Sequence, residues 1–451
     1  MLSHDIDKDV AKDFDGRLQV AILLALAVVT AVLRLHTASE PLNMDTAIYG
    51  YIAHSMLEGG RLYTELWDHK PPGIFQLFML SEIIWGYGPR SIAYTGVVFT
   101  LTSLLFLFLF LRDIAGVRVA LVGAALWALS SNSILMQAND NNVEVFLNTF
   151  TLIALWSYQR GRGTGCAKWF FITGLSFAVA SIFKTIAVFP FMAFCVYEFI
   201  SPSLSNGVAT KSANRVRRYV RTLCWFALPG LLLWTALFLY FLLLGRFSEF
   251  WQTVFVFNAG YSGSIFSNIG SFLITPSLIF SKVYKEIALL GLSALLWILV
   301  SKREYGKARL GRVFFILLAA GIIVELSSPG RYFSHYYQLM LPLFSILGAL
   351  FFSDLYSRLF RSRPSAAKAI IAAIVVLTFF NLAFYQLRYL SMTPFEISRI
   401  KHDEMAIDVM KMGEFVKANT KPCESIYVWG GEVGIYYYSQ RRSASGVFFI
   451  Y

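Results

Sequence analysis

Charged side chains make up only 15% of the 451 residues, so those set among apolar stretches are the ones able to do chemistry. The first group reads Glu40-Pro-Leu-Asn-Met-Asp45-Thr46, then Tyr49-Gly-Tyr51, Gly59-Gly60-Arg61 and Trp67-Asp68-His69-Lys70-Pro71-Pro72-Gly73. Asp45 opens a helical pattern with Ile48, Ile52 and Met56 on one face. A carboxylate there can accept a proton, or serve only as an N-cap or first-turn acid. Lys70, ahead of Pro-Pro, can meet an anion or snorkel to the headgroups. The second group, Gln137-Ala-Asn139-Asp140-Asn141-Asn142-Val-Glu144, supplies two more acids or an N-terminal cap cluster. Glu144 lies nearer the apolar helix, and an acid at a bilayer centre costs about 2.5–3.5 kcal/mol. Lys184, in Ser181-Ile-Phe-Lys184-Thr185, is a phosphate-binding cation or a snorkelling turn lysine. The last group is Arg331-Tyr332-Phe-Ser-His335-Tyr336-Tyr337 before Leu341-Pro342. Its arginine offers a fork suited to phosphate oxygens; histidine beside tyrosines is also a common interfacial anchor.

The elements that must position these groups are membrane helices. The chain is 57% hydrophobic with 41 Phe, and soluble proteins carry about 25% charged residues. Runs such as Leu105-Phe-Leu-Phe-Leu-Phe110 are apolar all round, which suits lipid contact. At about 20 apolar residues per span, spans are expected near 18–35, 91–111, 119–137, 143–158, 169–183, 185–200, 222–244, 285–300, 313–326, 337–352 and 369–387. The result is an all-α polytopic membrane protein with about eleven transmembrane helices.

Lys and Arg in short loops set the orientation. With Lys8, Lys12 and Arg17 inside, the inner loops hold Arg112 and Arg118; Arg160, Arg162 and Lys168; Lys211 to Arg221; Lys302 to Arg312; and Arg358 to Lys368. The net charge of +12 thus reports topology and not nucleic acid. The apolar stretch Gly73 to Tyr87 is short and carries Glu82. Making it a span would put every later basic loop outside, so it is read as a helix lying at the outer interface, where Trp67, Trp85 and Tyr87 belong. The outer segments are then 36–90, 138–143, 246–284, 327–336 and the tail after Arg388. Outer aromatics Tyr49, Tyr51, Trp251, Phe255, Phe257 and Tyr261 could stack on sugar faces or prenyl units and are read as belt anchors.

Domain expectations follow: a cytoplasmic leader at 1–17, a transmembrane domain at 18–390 and an extracytoplasmic α/β tail at 391–451. The tail shows an amphipathic helix over Asp403 to Ala418 and strands at Ser425 to Trp429 and Ile435 to Tyr438. It stops at Tyr451 on an apolar, strand-like run, the pattern of a domain that continues. Cys166, Cys195, Cys224 and Cys423 lack metal or disulfide spacing. The first span is long enough to remain as an anchor.

An Asp after the first span, then Gly-Gly, then Lys-Pro-Pro-Gly opening an apolar helix, resembles the GT-C glycosyltransferases. The likeness is nearest to the lipid A aminoarabinose transferases and relatives acting on lipopolysaccharide, and more distant to protein O-mannosyltransferases. It covers roughly residues 20 to 350. The resemblance implies a GT-C fold with interfacial juxtamembrane helices in the plasma (inner) membrane. It implies transfer of a sugar from a polyprenyl phosphate to an acceptor, a glycolipid or lipopolysaccharide, by one inverting displacement. Asp45 matches the family's catalytic position, with Glu144, or Asp140 as its fallback, matching a second acid. Lys70, Lys184, Arg331 and His335 match positions meeting the donor phosphate or sugar. Thr46 stands where protein O-mannosyltransferases often carry Glu, which favours a glycolipid acceptor. No cofactor is implied; the outer acids leave room for a divalent cation, though no ligand cluster marks one. The competing class is a transporter or lipid flippase, which would place its ionisable groups near the midplane and break helices there.

Overall fold

Apolar runs bounded by glycine, proline and charge give a helix at every span expected from the sequence. The computed structural model describes residues 16–204, 212–274, 284–361 and 365–446. Its helices are α1 (Gly16–Leu35), α2 (Met44–Leu57), α3 (Gly73–Trp85), α4 (Pro89–Ala115), α5 (Val117–Ser130), α6 (Val143–Thr164), α7 (Ala167–Phe183), α8 (Val188–Leu204) and α9 (Ser212–Leu243). Short pieces at Phe247–Trp251, Gln252–Phe257 and Asn258–Ser262 precede α10 (Ile265–Ile274). There follow α11 (Ala288–Val300), α12 (Arg312–Ser327), a 3-10 turn Ser334–Met340, α13 (Leu341–Arg361) and α14 (Ser365–Leu390). The tail holds α15 (Pro394–His402), α16 (Met405–Asn419) and α17 (Gly434–Ser439). Residues 1–15 of the expected leader, Lys211, part of the 246–284 segment and the run at 447–451 lie outside the described residues.

Five stretches are long and apolar enough to cross a bilayer: Gly16–Leu35, Pro89–Ala115, Val216–Leu243, Ser334–Ser357 and Ala372–Leu390. Their outward faces carry bare apolar side chains such as Leu24, Leu231 and Phe380, as lipid contact requires. The shorter α5 and α11 run only about 20 Å at about 1.5 Å per residue, against a hydrocarbon core of roughly 30 Å. Irregular backbone at membrane depth is tolerated only where protein encloses it. The segment after α5 is enclosed in this way by Arg34. Its guanidinium, buried at the end of α1, donates to Ala138 O and Asn141 Oδ1, both at 2.9 Å. Gly96 of α4 admits this loop: a Cβ there would lie 1.6 Å from Asn141 Oδ1.

Gly73 to Trp85 forms a helix joined to α2 by an ion pair, His54 Nδ1 to Glu82 Oε1 at 2.7 Å, with Glu58 at 3.7 Å from Nε2. The hydrogen bond to Glu82, opposed by partial burial and aided by Glu58, raises the His54 pKa above its ordinary value. A raised histidine stabilises the fold fully below its unfolded pKa of about 6.5, and that contribution fades as pH climbs through the folded value. The melting-temperature gap between wild type and His54→Gln is therefore expected to be widest near about pH 6 and to close by about pH 9. A gap independent of pH would contradict this linkage.

The tail departs from the expected α/β unit. The described residues contain no β-strand; within Ser425 to Trp429 only Ile426 makes a single bridge, to Ser443. Ile435 to Tyr438 falls inside α17. Val433, Tyr436 and Tyr437 are all buried, and spacing i, i+3, i+4 is one helical face, whereas a strand would turn the adjacent tyrosines to opposite sides. That face packs on the first loop: the Tyr51 and Tyr436 rings lie 5.3 Å apart and Tyr437 stacks on Tyr87 at 4.8 Å. Arg441 closes α16 by donating to Thr420 O at 2.7 Å and Lys417 O at 3.1 Å. The amphipathic helix expected at 403–418 is α16.

Candidate active site

The first turn of α2 is shaped by Asn43. Its backbone is extended and its side chain accepts from Thr46 N at 2.9 Å, so Asn43 is the N-cap. Asp45 is then a first-turn acid without capping duty, near the positive end of the helix dipole. Its carboxylate, 29% exposed, lies 3.6 Å from His335 Nε2, too far for a direct hydrogen bond. His335 sits in the 3-10 turn with Nδ1 3.3 Å from Gln137 Oε1.

Lys70 is delivered by the Lys-Pro-Pro-Gly corner. Its backbone N–H donates to the fully buried Asp68 at 2.8 Å, and its carbonyl accepts from Tyr63 OH at 2.8 Å. Gly73 lets α3 abut the end of α7, since a Cβ there would meet Ile182 O at 2.7 Å. This close approach brings the Lys70 corner beside Lys184, two residues beyond Ile182. Lys70 is only 9% exposed. Its Nζ lies 4.9 Å above the Tyr49 ring and makes no ion pair among the described residues.

Lys184, the C-cap of α7, donates to Glu144 Oε1 at 2.7 Å and sits 3.8 Å above the Tyr336 ring. Glu144 is in the first turn of α6 and buried; its N-cap position, Asn142, makes no side-chain capping bond. Burial alone would raise the Asp45 carboxyl, but Lys70, His335 and Lys184 outweigh it and hold the carboxyl below the ordinary carboxylate range. Burial would lower the Lys70 ammonium, but Asp68 and Asp45 outweigh that and raise it. Asp45 is thus ionised and Lys70 protonated at neutral pH.

Arg331 is exposed and stacks 4.2 Å above the Tyr261 ring. That ring in turn faces His69 at 5.4 Å, and Asn258 donates to His69 O at 2.7 Å. The short helical pieces over 247–262 therefore pack on His69, next to Lys70, and Arg331 reaches this edge through the Tyr261 ring.

The structure brings Asp45, Lys70, Glu144, Lys184 and His335 together. Asp140 is engaged differently. Lys401 of α15 pairs with it directly, Asn43 donates to it at 2.7 Å and His402 lies at 3.5 Å. Lys401 also reaches Glu40 at 2.6 Å. Burial would raise Asp140, but Lys401 and His402 hold it well below the usual range. Burial outweighs Lys401 at Glu40 and raises it to about 7. Among the described residues no group of three or more His, Cys, Asp or Glu is placed to hold a metal ion, and the Glu40–Asp140 pair already holds an ammonium.

Sequence reasoning read Tyr49 only as an outer aromatic anchor and did not place Gln137, Glu325 or Tyr336 in this site. Glu325, 2% exposed near the end of α12, lies within electrostatic reach of Lys184 and Glu144. An acid inside an expected span was the available signal. Gln137 and the two tyrosines had none, because amides and aromatics are ordinary at an interface.

Residues 69–216 match the family model described as dolichyl-phosphate-mannose-protein mannosyltransferase. No curated protein matches the chain significantly. The crystal structure of ArnT from Cupriavidus metallidurans bound to undecaprenyl phosphate aligns with a TM-score of 0.62 at 13% identity, covering 95% of this chain and 86% of that one. The Archaeoglobus fulgidus oligosaccharyltransferase in its apo form gives 0.62 at 14% identity, covering 96% and 65%. The archaeal oligosaccharyltransferase AglB, in complex with an inhibitory peptide and a dolichol-phosphate, gives 0.59 at 13%, covering 95% and 64%. The chain spans just under two thirds of the archaeal proteins' length. These likenesses establish a multi-pass membrane protein with the GT-C fold, as the first-loop pattern implied.

Proposed function

We propose that the protein is a membrane glycosyltransferase that moves a sugar from a polyprenyl-phosphate-linked donor to an acceptor hydroxyl at the outer face of the plasma membrane. One observation carries the reading: an ionised carboxylate, Asp45, sits in the field of Lys70, a nearly buried lysine with no ion-pair partner among the described residues. A base beside an uncommitted cation is what displacement of a lipid phosphate by a hydroxyl requires. The fold shared with proteins whose structures hold undecaprenyl phosphate and a dolichol-phosphate supports it.

The step follows from the residues. Asp45 takes the acceptor hydroxyl proton as the oxygen bonds to the anomeric carbon. The bond from that carbon to the phosphate oxygen breaks in the same displacement and the configuration inverts. The charge growing on the leaving phosphate is stabilised by Lys70, Lys184 and Arg331. Lys184 leaves Glu144 to do so, Glu144 and His335 orient the reactants, and Asp140, held by Lys401 and Asn43, acts through the start of α2. Phosphate binding also neutralises the field that depresses Asp45, so the base strengthens when the donor arrives. Orientation places the basic loops inside and the tail outside, and the residue after Asp45, Thr46, favours a glycolipid acceptor. Mass spectrometry of envelope glycolipids from a deletion strain tests the reading: a glycolipid lacking one sugar mass supports it, and an unchanged glycolipid profile opposes it.

A further inference from the structure

Among the described residues, the carboxylates that Lys401 touches are Glu40 and Asp140, and it comes from a tail helix far from Asp45 in sequence. Its side chain is 1% exposed. The ammonium meets Glu40 at 2.6 Å, pairs with Asp140 Oδ1 and donates to Asn139 Oδ1 at 3.2 Å. Asp140 uses its other oxygen, Oδ2, to accept from Asn43 Nδ2 at 2.7 Å. The same Nδ2 lies 3.4 Å from Asn142 Oδ1, at the N-cap position of α6. The Asn43 carbonyl oxygen of the side chain accepts from Thr46 N at 2.9 Å and Thr46 Oγ1 at 3.0 Å. Asn43 thus spans the two helix starts that carry Asp45 and Glu144.

We propose that Lys401 is a positioning residue: through Asp140 and Asn43 it fixes the first turn of α2, and so aims Asp45 at the acceptor hydroxyl. The inference rests on the reading of Asp45 as base. The relay has a direction set by bonding capacity. Asn43 is buried, so while its oxygen caps α2 its nitrogen needs a partner of its own, and holding that nitrogen fixes which way the amide faces; Asp140 holds it. Asp140 can face Asn43 only while a cation neutralises its other side, and Lys401 is that cation. The capping box of Thr393 and Glu396 anchors the start of α15, so the lysine arrives on a rigid element. A consequence is that the tail is part of the catalytic apparatus.

The test uses the purified full chain, with lipid-linked sugar extracted from the deletion strain as donor and undecaprenyl phosphate as binding probe. Lys401→Met is expected to lower kcat by about 10²-fold, the cost of a misplacement near 1 Å, with affinity for undecaprenyl phosphate unchanged because Lys70 and Lys184 remain. Removing the lysine leaves two buried acids, so Glu40→Gln/Lys401→Met, which keeps the cluster's net charge, is run beside it and should show the same kcat loss. Asn43→Ala should lower kcat alike, and adding Lys401→Met to it should cost little more, since both break one chain. Wild-type kcat in the charge-balanced variant, or losses that multiply in the double variant, would overturn the relay. Asp45→Asn keeps the two readings apart. If it is dead while Lys401→Met is fully active, the relay falls and the base stands; if Asp45→Asn is active, both fall.

Discussion

Asp45→Asn should abolish sugar transfer while leaving the protein folded and able to bind its donor. General-base catalysis contributes about 10²- to 10⁴-fold, and asparagine cannot accept the proton. The structure sharpens this substitution because capping is assigned to Asn43. A folding defect through loss of a cap is therefore not expected at position 45. Thermal stability close to wild type, with activity below about a hundredth, is the expected pair of results. Retention of more than about a tenth of the activity would be inconsistent with a general base of that size.

Lys70→Ala has the second largest effect and acts on the donor. Losing one side of a desolvated charge pair costs about 2–5 kcal/mol in interfaces, so affinity for a polyprenyl phosphate should drop by more than tenfold. Lys184→Ala should do less, since part of its charge is already spent on Glu144 at 2.7 Å. Lys70 is also the strongest of the charges lowering the Asp45 carboxyl. Activity of a base is lost as pH falls through its pKa. The acid limb of residual activity in Lys70→Ala should therefore move to higher pH, because the carboxyl rises when the lysine is gone. Equilibrium binding of undecaprenyl phosphate and a pH–rate profile check both effects; unchanged affinity would remove Lys70 from the phosphate site.

Much of the frame was legible because hydropathy is written locally along the chain. Every expected span contains a helix, although the one at 119–137 stops at Ser130, and Glu82 marked α3 as a helix apart; its partner proves to be His54 of α2. The Lys-Pro-Pro-Gly corner was legible as well, since proline stiffness is a property of consecutive residues; the approach of Gly73 to Ile182 was not, because it joins distant parts of the chain. What stayed hidden is assembled over long distances. Glu40, Asp140 and Lys401 converge from three parts of the chain, and no periodicity announces a lysine that will be 1% exposed. Asp140 stood as the fallback to Glu144, because both sit at the start of the same helix. Which acid meets Lys184 and which meets the tail is decided by tertiary contact. The tyrosine run at 436–438 misled for a related reason: aromatic β-propensity is a statement about packing surfaces, and here the surface was helix α2.

The most direct measurement incubates the purified protein with a polyprenyl-phosphate-linked sugar in vesicles, with and without extracted envelope glycolipid. Free polyprenyl phosphate and the product's anomeric configuration are followed together. The account predicts release of polyprenyl phosphate only when acceptor is present, one inverted linkage per phosphate released, and neither event with Asp45→Asn. Movement of intact donor between leaflets with no phosphate released would contradict it and mark the protein as a carrier of lipid-linked sugar.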